Sequence, residues 1–405
     1  MPNAIAMPTA SVRDSEGAQY KVLFLICLAH FLNDSIQSLL APSYPLFKER
    51  FGLTFTQIGV ITLVYNITAS LLQPLVGRYT DRHPWPYLPP VGMTLSMSGL
   101  LMLSAAPSYH WLLVGGALLG SGSSIFHPEG ARITRRASGG LYGTAQSIFQ
   151  VGGNTGSSVG PLLAAAVIIP NGQGSLSWFV FLPLTGIAVL FRIGVWSAGL
   201  QRRAALSPPA ALPPLPPRRL IVRTMSVLLA LIFSKYFYTA SITSYFIFYL
   251  TTRFGIDAQS AQLRLFAYLF AMALGTLIGG PIGDRIGRKK VIWVSILGVA
   301  PFTLALPHLD LFWTTAAIFL VGLILASAFP AIVVFAQELL PGRVGMVGGL
   351  FFGFSFGMGG IAAAVLGRLA DLYGIEFVYH LCGYLPLMGL LTVFLPDLER
   401  RRRGK

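Results

Sequence analysis

The chain has 405 residues, of which 54% are hydrophobic and 11% charged, and its mean hydropathy is +0.68. A soluble domain carries about 25% charged residues, so this composition excludes a soluble globular fold and leaves a membrane protein. The net charge of +15 would suit nucleic acid, but the arginines gather at the ends of apolar runs, so no nucleic-acid partner is expected.

Residues 1–20 are polar and contain no apolar core of a signal peptide, so 1–21 reads as an N-terminal cytoplasmic tail. Twelve apolar runs follow, near 22–46, 56–77, 88–106, 111–134, 142–168, 176–198, 223–250, 259–283, 291–307, 311–337, 345–370 and 376–395. They last about 20 residues without alternating, so each is predicted to be a helix that spans a bilayer and satisfies its own backbone. Residues 200–222 hold six prolines within Ser207–Pro217, between Arg202-Arg203 and Arg218-Arg219, and read as a cytoplasmic linker. The linker separates a six-helix half at 22–199 from a second at 223–396, with a basic tail at 397–405. With the N-terminus inside, 22 Lys and Arg fall on the cytoplasmic side and 5 on the outer side, which predicts that both termini are cytoplasmic. Cys27 and Cys382 lie in apolar runs and read as small core residues.

The halves repeat. Gly77, Asp81 and Arg82 recur 203 residues later as Gly280, Asp284 and Arg285, and Phe51-Gly52 recurs as Phe254-Gly255 at the same offset. Shared offsets of this kind mean two copies of one architecture. The second copy continues as Ile286-Gly287-Arg288-Lys289, whereas the first breaks into His83-Pro84-Trp85-Pro86.

The G-x-x-x-D-R-x-G-R pattern between spans two and three, repeated between eight and nine, resembles the signature of the major facilitator superfamily. The resemblance implies an all-α membrane fold of twelve helices in two pseudosymmetric halves, with substrate held between the halves near the midplane. It gives Gly77, Asp81, Arg82, Gly280, Asp284, Arg285 and Arg288 the role of a cytoplasmic gate. Gly156-Ser157-Ser158-Val159-Gly160-Pro161 is similar to that family's antiporter motif, although Ala164-Ala165 follow where glycines are usual. Gly120 and Gly122 match a motif of proton-coupled members, but Gly116 stands where its arginine belongs. Ala145–Asn154, Phe126-His127-Pro128-Glu129, Phe233–Tyr238 and Gln337–Arg343 resemble the branch that exports fosmidomycin-type phosphonate antibiotics from the bacterial inner membrane. That likeness implies efflux of a small anionic drug or metabolite in exchange for protons, by a monomer without cofactor.

Charge inside a span costs about 2.5–3.5 kcal/mol on insertion scales, so polar residues there mark candidate sites. His30, Asn33, Asp34 and Gln37 share one face of span one, and Asp34 is the leading protonatable group. His127 and Glu129 flank the cytoplasmic end of span four and read as a proton relay or, with Arg132, as a structural ion pair. Pro128 is expected to bend that helix. Lys235 lies near the depth of Asp34 by the 203 offset and is expected, with Asn33, Gln150, Asn154 and Tyr238, to bind an anion or to pair with Asp34. Glu338 and Arg343 are expected in the inner charge network. No metal-ligand spacing and no P-loop occurs, which excludes ATP drive. Two rivals stand beside efflux. One is proton-coupled uptake of a phosphorylated or carboxylated metabolite; the other is a membrane-embedded enzyme using His127 and Glu129.

Overall fold

A computed structural model of the chain describes residues 17–53, 55–206 and 213–398. The tail before residue 17, positions 207–212 of the linker, residues 399–405 and the side chain of Pro161 lie outside the described residues. Every described element is helical, and no strand occurs among the described residues.

Ten helical rods are long and apolar enough to cross a bilayer. They are α1 (Tyr20–Phe51), α2 (Gln57–Arg82), α3 (Leu88–Ala105), α6 (Gln173–Ala205), α7 (Arg218–Phe254), α8 (Leu263–Ile286), α9 (Arg288–His308), α10 (Leu311–Leu339), α11 (Val344–Tyr373) and α12 (Ile375–Phe394). The fourth and fifth expected spans are α4 (Tyr109–Ala137) and α5 (Tyr142–Leu163), which continues through a π turn at Ala164–Ile168. Both are long helices, but they fall outside the apolar ten. Both are rich in residues of low hydropathy: Gly115, Gly116, Gly120, Ser121, Gly122, Ser123 and Ser124 in α4, and Gly152, Gly153, Asn154, Gly156, Ser157 and Ser158 in α5. α4 runs unbroken through Pro128.

The chain divides into two compact units. The first comprises the chain up to Pro214 together with Leu340–Gly353, the loop and opening turns of α11. Within it α1 packs on α5 and α6, α4 packs on α2, α3 and α5, and α3 packs on α6. The α1–α5 contact is close because Gly152, Gly156 and Gly160 recur every fourth residue. A Cβ at these positions would overlap the Cys27 carbonyl, the Phe31 carbonyl and Ser38, respectively.

The second unit holds Leu215–Leu339 and the chain from Phe354 onward. There α7 packs on α8 and α12, α10 packs on α8 and α9, and α9 packs on α12. These pairings repeat those of α1 with α6, of α4 with α2 and α3, and of α3 with α6. The repeated Phe-Gly pairs have one local cause. Gly52 and Gly255 close α1 and α7 in the left-handed conformation, at φ 60° and 64°, where a side chain would strain the backbone.

Candidate functional site

The polar face of α1 is buried in the first unit: His30, Asn33 and Asp34 are at most 7% exposed. Around the Asp34 carboxylate two histidines converge. His30 Nε2 lies 3.4 Å from Oδ2, and His127 Nε2, reaching in from α4, lies 3.6 Å from Oδ1. The other nitrogen of each ring is committed. His30 Nδ1 is 2.7 Å from the Phe149 carbonyl, and His127 Nδ1 is 3.0 Å from the Ser123 carbonyl. A carbonyl oxygen only accepts, so both Nδ1 atoms carry hydrogen, and in the neutral rings both Nε2 atoms turn a lone pair toward Asp34. Lone pairs facing a carboxylate repel. The arrangement becomes attractive when a proton sits on Nε2 or on the carboxylate. Two further donors hold Asp34 in place: Asn33 Nδ2 at 2.9 Å from Oδ1 and Ser157 Oγ at 3.5 Å from Oδ2.

Packing fixes this geometry. Phe149 stacks on His30 with ring centroids 4.0 Å apart, Phe126 lies 5.5 Å from His30, and Phe352 lies 5.0 Å from His127. A Cβ at Gly153 would overlap His30 and Asp34, so this glycine lets α5 close over the pair. The ligand atoms of His30, Asp34 and His127 lie within 4.8 Å of one another, so by spacing alone the set could grip a small cation. Farther along α5, Gln150 Nε2 donates to Asn154 Oδ1 at 3.0 Å, and both residues are partly exposed.

Glu129 is not part of this cluster. It pairs with Arg132 Nη1, and both side chains are buried. Arg132 Nη2 also donates to Asp81 Oδ1 at 2.9 Å and Thr80 Oγ1 at 2.7 Å. Asp81 accepts the backbone N–H of Gly345 on Oδ1 and of Met346 on Oδ2, each at 2.9 Å. Asp81 thus caps the start of α11, where orphan N–H groups and the helix dipole favour an anion. Gly77 and Gly345 allow the approach, since a Cβ on Gly77 would overlap the Gly345 carbonyl. Arg82 is exposed.

In the second unit Asp284 pairs with Arg288 at 2.8 Å, and Arg288 reaches Glu338 at 3.5 Å. Gly280 is buried in α8, while Arg285 and Arg343 are exposed. Lys235 of α7 is 4% exposed, with Nζ 5.1 Å from the Tyr236 ring and 5.5 Å from the Phe329 ring. It has no ion pair or hydrogen bond among the described residues, so only ring faces balance its charge. Tyr238, one turn on, buries a hydroxyl that has no hydrogen-bond partner among the described residues.

Sequence reasoning placed His30 on the correct face and gave it no role. Its i, i+4 spacing to Asp34 was the available signal. Phe149, Phe352 and Gly153 carried no signal, because their contacts with the histidines join residues far apart in the chain.

The model of the Major Facilitator Superfamily matches residues 26–253 and 227–405. The fosmidomycin resistance protein of Escherichia coli (strain K12) is 56% identical over 98% of this chain and 97% of its own length. The MFS-type transporter YfnC of Bacillus subtilis (strain 168) is 37% identical over 98% and 99%. Among solved structures, FucP in the outward conformation is similar with a TM-score of 0.70 at 17% identity, covering 93% of this chain and 98% of that one. The proton:xylose symporter XylE has a TM-score of 0.71 at 11% identity, over 93% and 95%. At such identities the two structures speak to the fold alone.

Proposed function

The chain belongs to the major facilitator superfamily, and on that premise we propose that it is a proton-coupled antiporter exporting small phosphonate-like anions from the bacterial cytoplasm. Its family and fold are those of multi-pass membrane transporters and not of enzymes. The observation that carries the proton half of the reading is the His30–Asp34–His127 cluster, where both Nδ1 atoms are spoken for. A proton entering it bridges Asp34 and an imidazole and turns repulsion into attraction. A proton leaving restores the repulsion. An equilibrium between two conformations can be driven by such a switch, because each protonation state favours a different packing of α1 against α4 and α5.

The anion half rests on Lys235. A buried ammonium with no carboxylate partner is costly unless an anion visits it. A phosphonate oxygen fits, and the unpartnered Tyr238 hydroxyl on the same helix face can donate to it. The name of the 56%-identical relative supports the cargo class. Asp81 with Arg132, and Asp284 with Arg288, serve as gate clusters. The protein acts as a monomer in the inner membrane, with both termini cytoplasmic as the arginine bias indicates.

The test is proton movement in proteoliposomes of oriented full-length protein. Adding fosmidomycin on the cytoplasmic side should drive protons in the opposite direction, and Asp34→Asn should abolish the coupling. Protons moving together with the drug would replace antiport by uptake symport. Undiminished coupling in Asp34→Asn would remove the cluster from the mechanism.

A further inference from the structure

The chemistry above leaves unused a cavity of about 420 Å³ in the second unit, at the start of α9. Its walls include Arg288, Lys289, Lys290, Trp293, Glu338, Thr392 and Asp397. The first helical segment of α9, Arg288–Leu297, begins after Gly287 without a side-chain cap. Its opening N–H groups therefore lack intrahelical acceptors, and Gly287–Lys290, at the positive end of the helix dipole, form part of the cavity wall.

The cations there are unequally committed. Arg288 is taken up by Asp284 and Glu338. Lys289 donates only to the neutral Leu395 carbonyl, at 2.5 Å, and Lys290 is exposed. Lys289 and Lys290 share the wall with the acids Glu338 and Asp397. Thr392 is also a wall residue; it is 1% exposed, and its buried hydroxyl has no hydrogen-bond partner among the described residues. A buried hydroxyl without a partner is destabilising unless something at the site accepts its proton.

The rim is apolar. Ile286, Trp293 and Val393 are 46%, 48% and 69% exposed, and Phe394 beside them is 53% exposed. A soluble anion gains nothing from that rim, whereas acyl chains do. An exposed Trp beside lysines at a helix end is the arrangement that sits at headgroup level in a bilayer.

We propose that this cavity holds the headgroup phosphate of an anionic phospholipid, with Lys289, Lys290, the α9 N-terminus and Thr392 on the phosphate and the Trp293 rim on the acyl chains. Basic pockets at membrane edges recognise anionic headgroups by this chemistry. Full-length protein is reconstituted in nanodiscs of mixed phosphatidylglycerol and phosphatidylcholine, and retained lipid is counted by native mass spectrometry. Wild type should retain phosphatidylglycerol in preference to phosphatidylcholine. Losing both lysines (Lys289→Gln with Lys290→Gln) should weaken retention roughly 30-fold, about fivefold per charge. Thr392→Val leaves the charge intact and should weaken it about threefold, which keeps the test decisive if the double variant fails to fold. Equal retention of the two lipids by wild type overturns the proposal, as does unchanged retention in Thr392→Val. Displacement of the lipid by millimolar inorganic phosphate would mean that the site takes a soluble anion, and would overturn it too.

Discussion

Among the described residues no carboxylate pairs with Lys235, whose ammonium lies only beside the Tyr236 and Phe329 rings. Replacing it with an apolar side chain of similar length removes that charge. Lys235→Met is therefore expected to raise thermal stability in nanodiscs, by up to about 2.5–3.5 kcal/mol, while fosmidomycin resistance is lost. A structural lysine would show the reverse, with lower stability and retained resistance. Ligand binding separates the two further. Fosmidomycin should raise the unfolding temperature of wild type and not of Lys235→Met, since a charge-assisted hydrogen bond contributes about 1.5–3 kcal/mol. At Asp34 the neighbouring backbone is as constrained as the carboxylate. Gly153→Ala would press a methyl into His30 and Asp34. It should cost about 1–3 kcal/mol of stability and should slow proton-coupled efflux in vesicles, whereas Gly174→Ala, which meets open space, should leave both unchanged.

Elements rather than residues explain why the two copies of the Gly-x-x-x-Asp-Arg motif differ. In the second unit Asp284 finds its arginine four residues on, at Arg288. The equivalent position in the first copy is Trp85, after a Pro-containing break, so the chain cannot supply the cation locally. It comes from another helix instead: Arg132 of α4 reaches Asp81 of α2 and is steadied by Glu129. Arg132 is thus the centre of a buried network, and Arg132→Ala leaves Asp81 and Glu129 without their cation. Asp81 keeps the Gly345 and Met346 N–H groups, so what is lost is the cation, and the change should lower stability by about 3–5 kcal/mol, read as a fall in unfolding temperature. Glu129→Gln should be milder, because Arg132 keeps Asp81 and Thr80. Proton coupling that survives Glu129→Gln would separate this network from the Asp34 cluster functionally.

At the scale of the whole molecule, the bilayer made the fold legible. Apolar runs of about 20 residues have one stable outcome in lipid, and ten of the twelve expected spans emerged as apolar rods near their expected positions. α4 and α5 were harder because glycine, serine and amide residues interrupt their apolar runs. Asp34 and Lys235 were legible for the same reason in reverse, since a charge in an apolar run stands out. What could not be read was which groups meet. The link from His30 to the Phe149 carbonyl joins positions 119 apart, and the hydrogen bond from the Gly345 N–H to Asp81 joins positions 264 apart. Neither follows from local spacing. If efflux is driven by proton return, collapsing the proton gradient with an ionophore should raise drug accumulation in expressing cells to the level of non-expressing cells. Accumulation unaffected by the ionophore would point to another energy source.

The anion-binding role proposed for Lys235 also has a pharmacological consequence. A recognition element that reads negative charge is blind to a cargo whose charge is masked. Under the function proposed above, esterifying both acidic oxygens of a phosphonate drug yields a neutral compound that this protein should ignore until hydrolysis inside the cell restores the anion. Resistant and susceptible strains should then differ little in initial uptake of the ester. The gap between them should open only as the free acid forms, at a rate set by the esterase and not by the transporter.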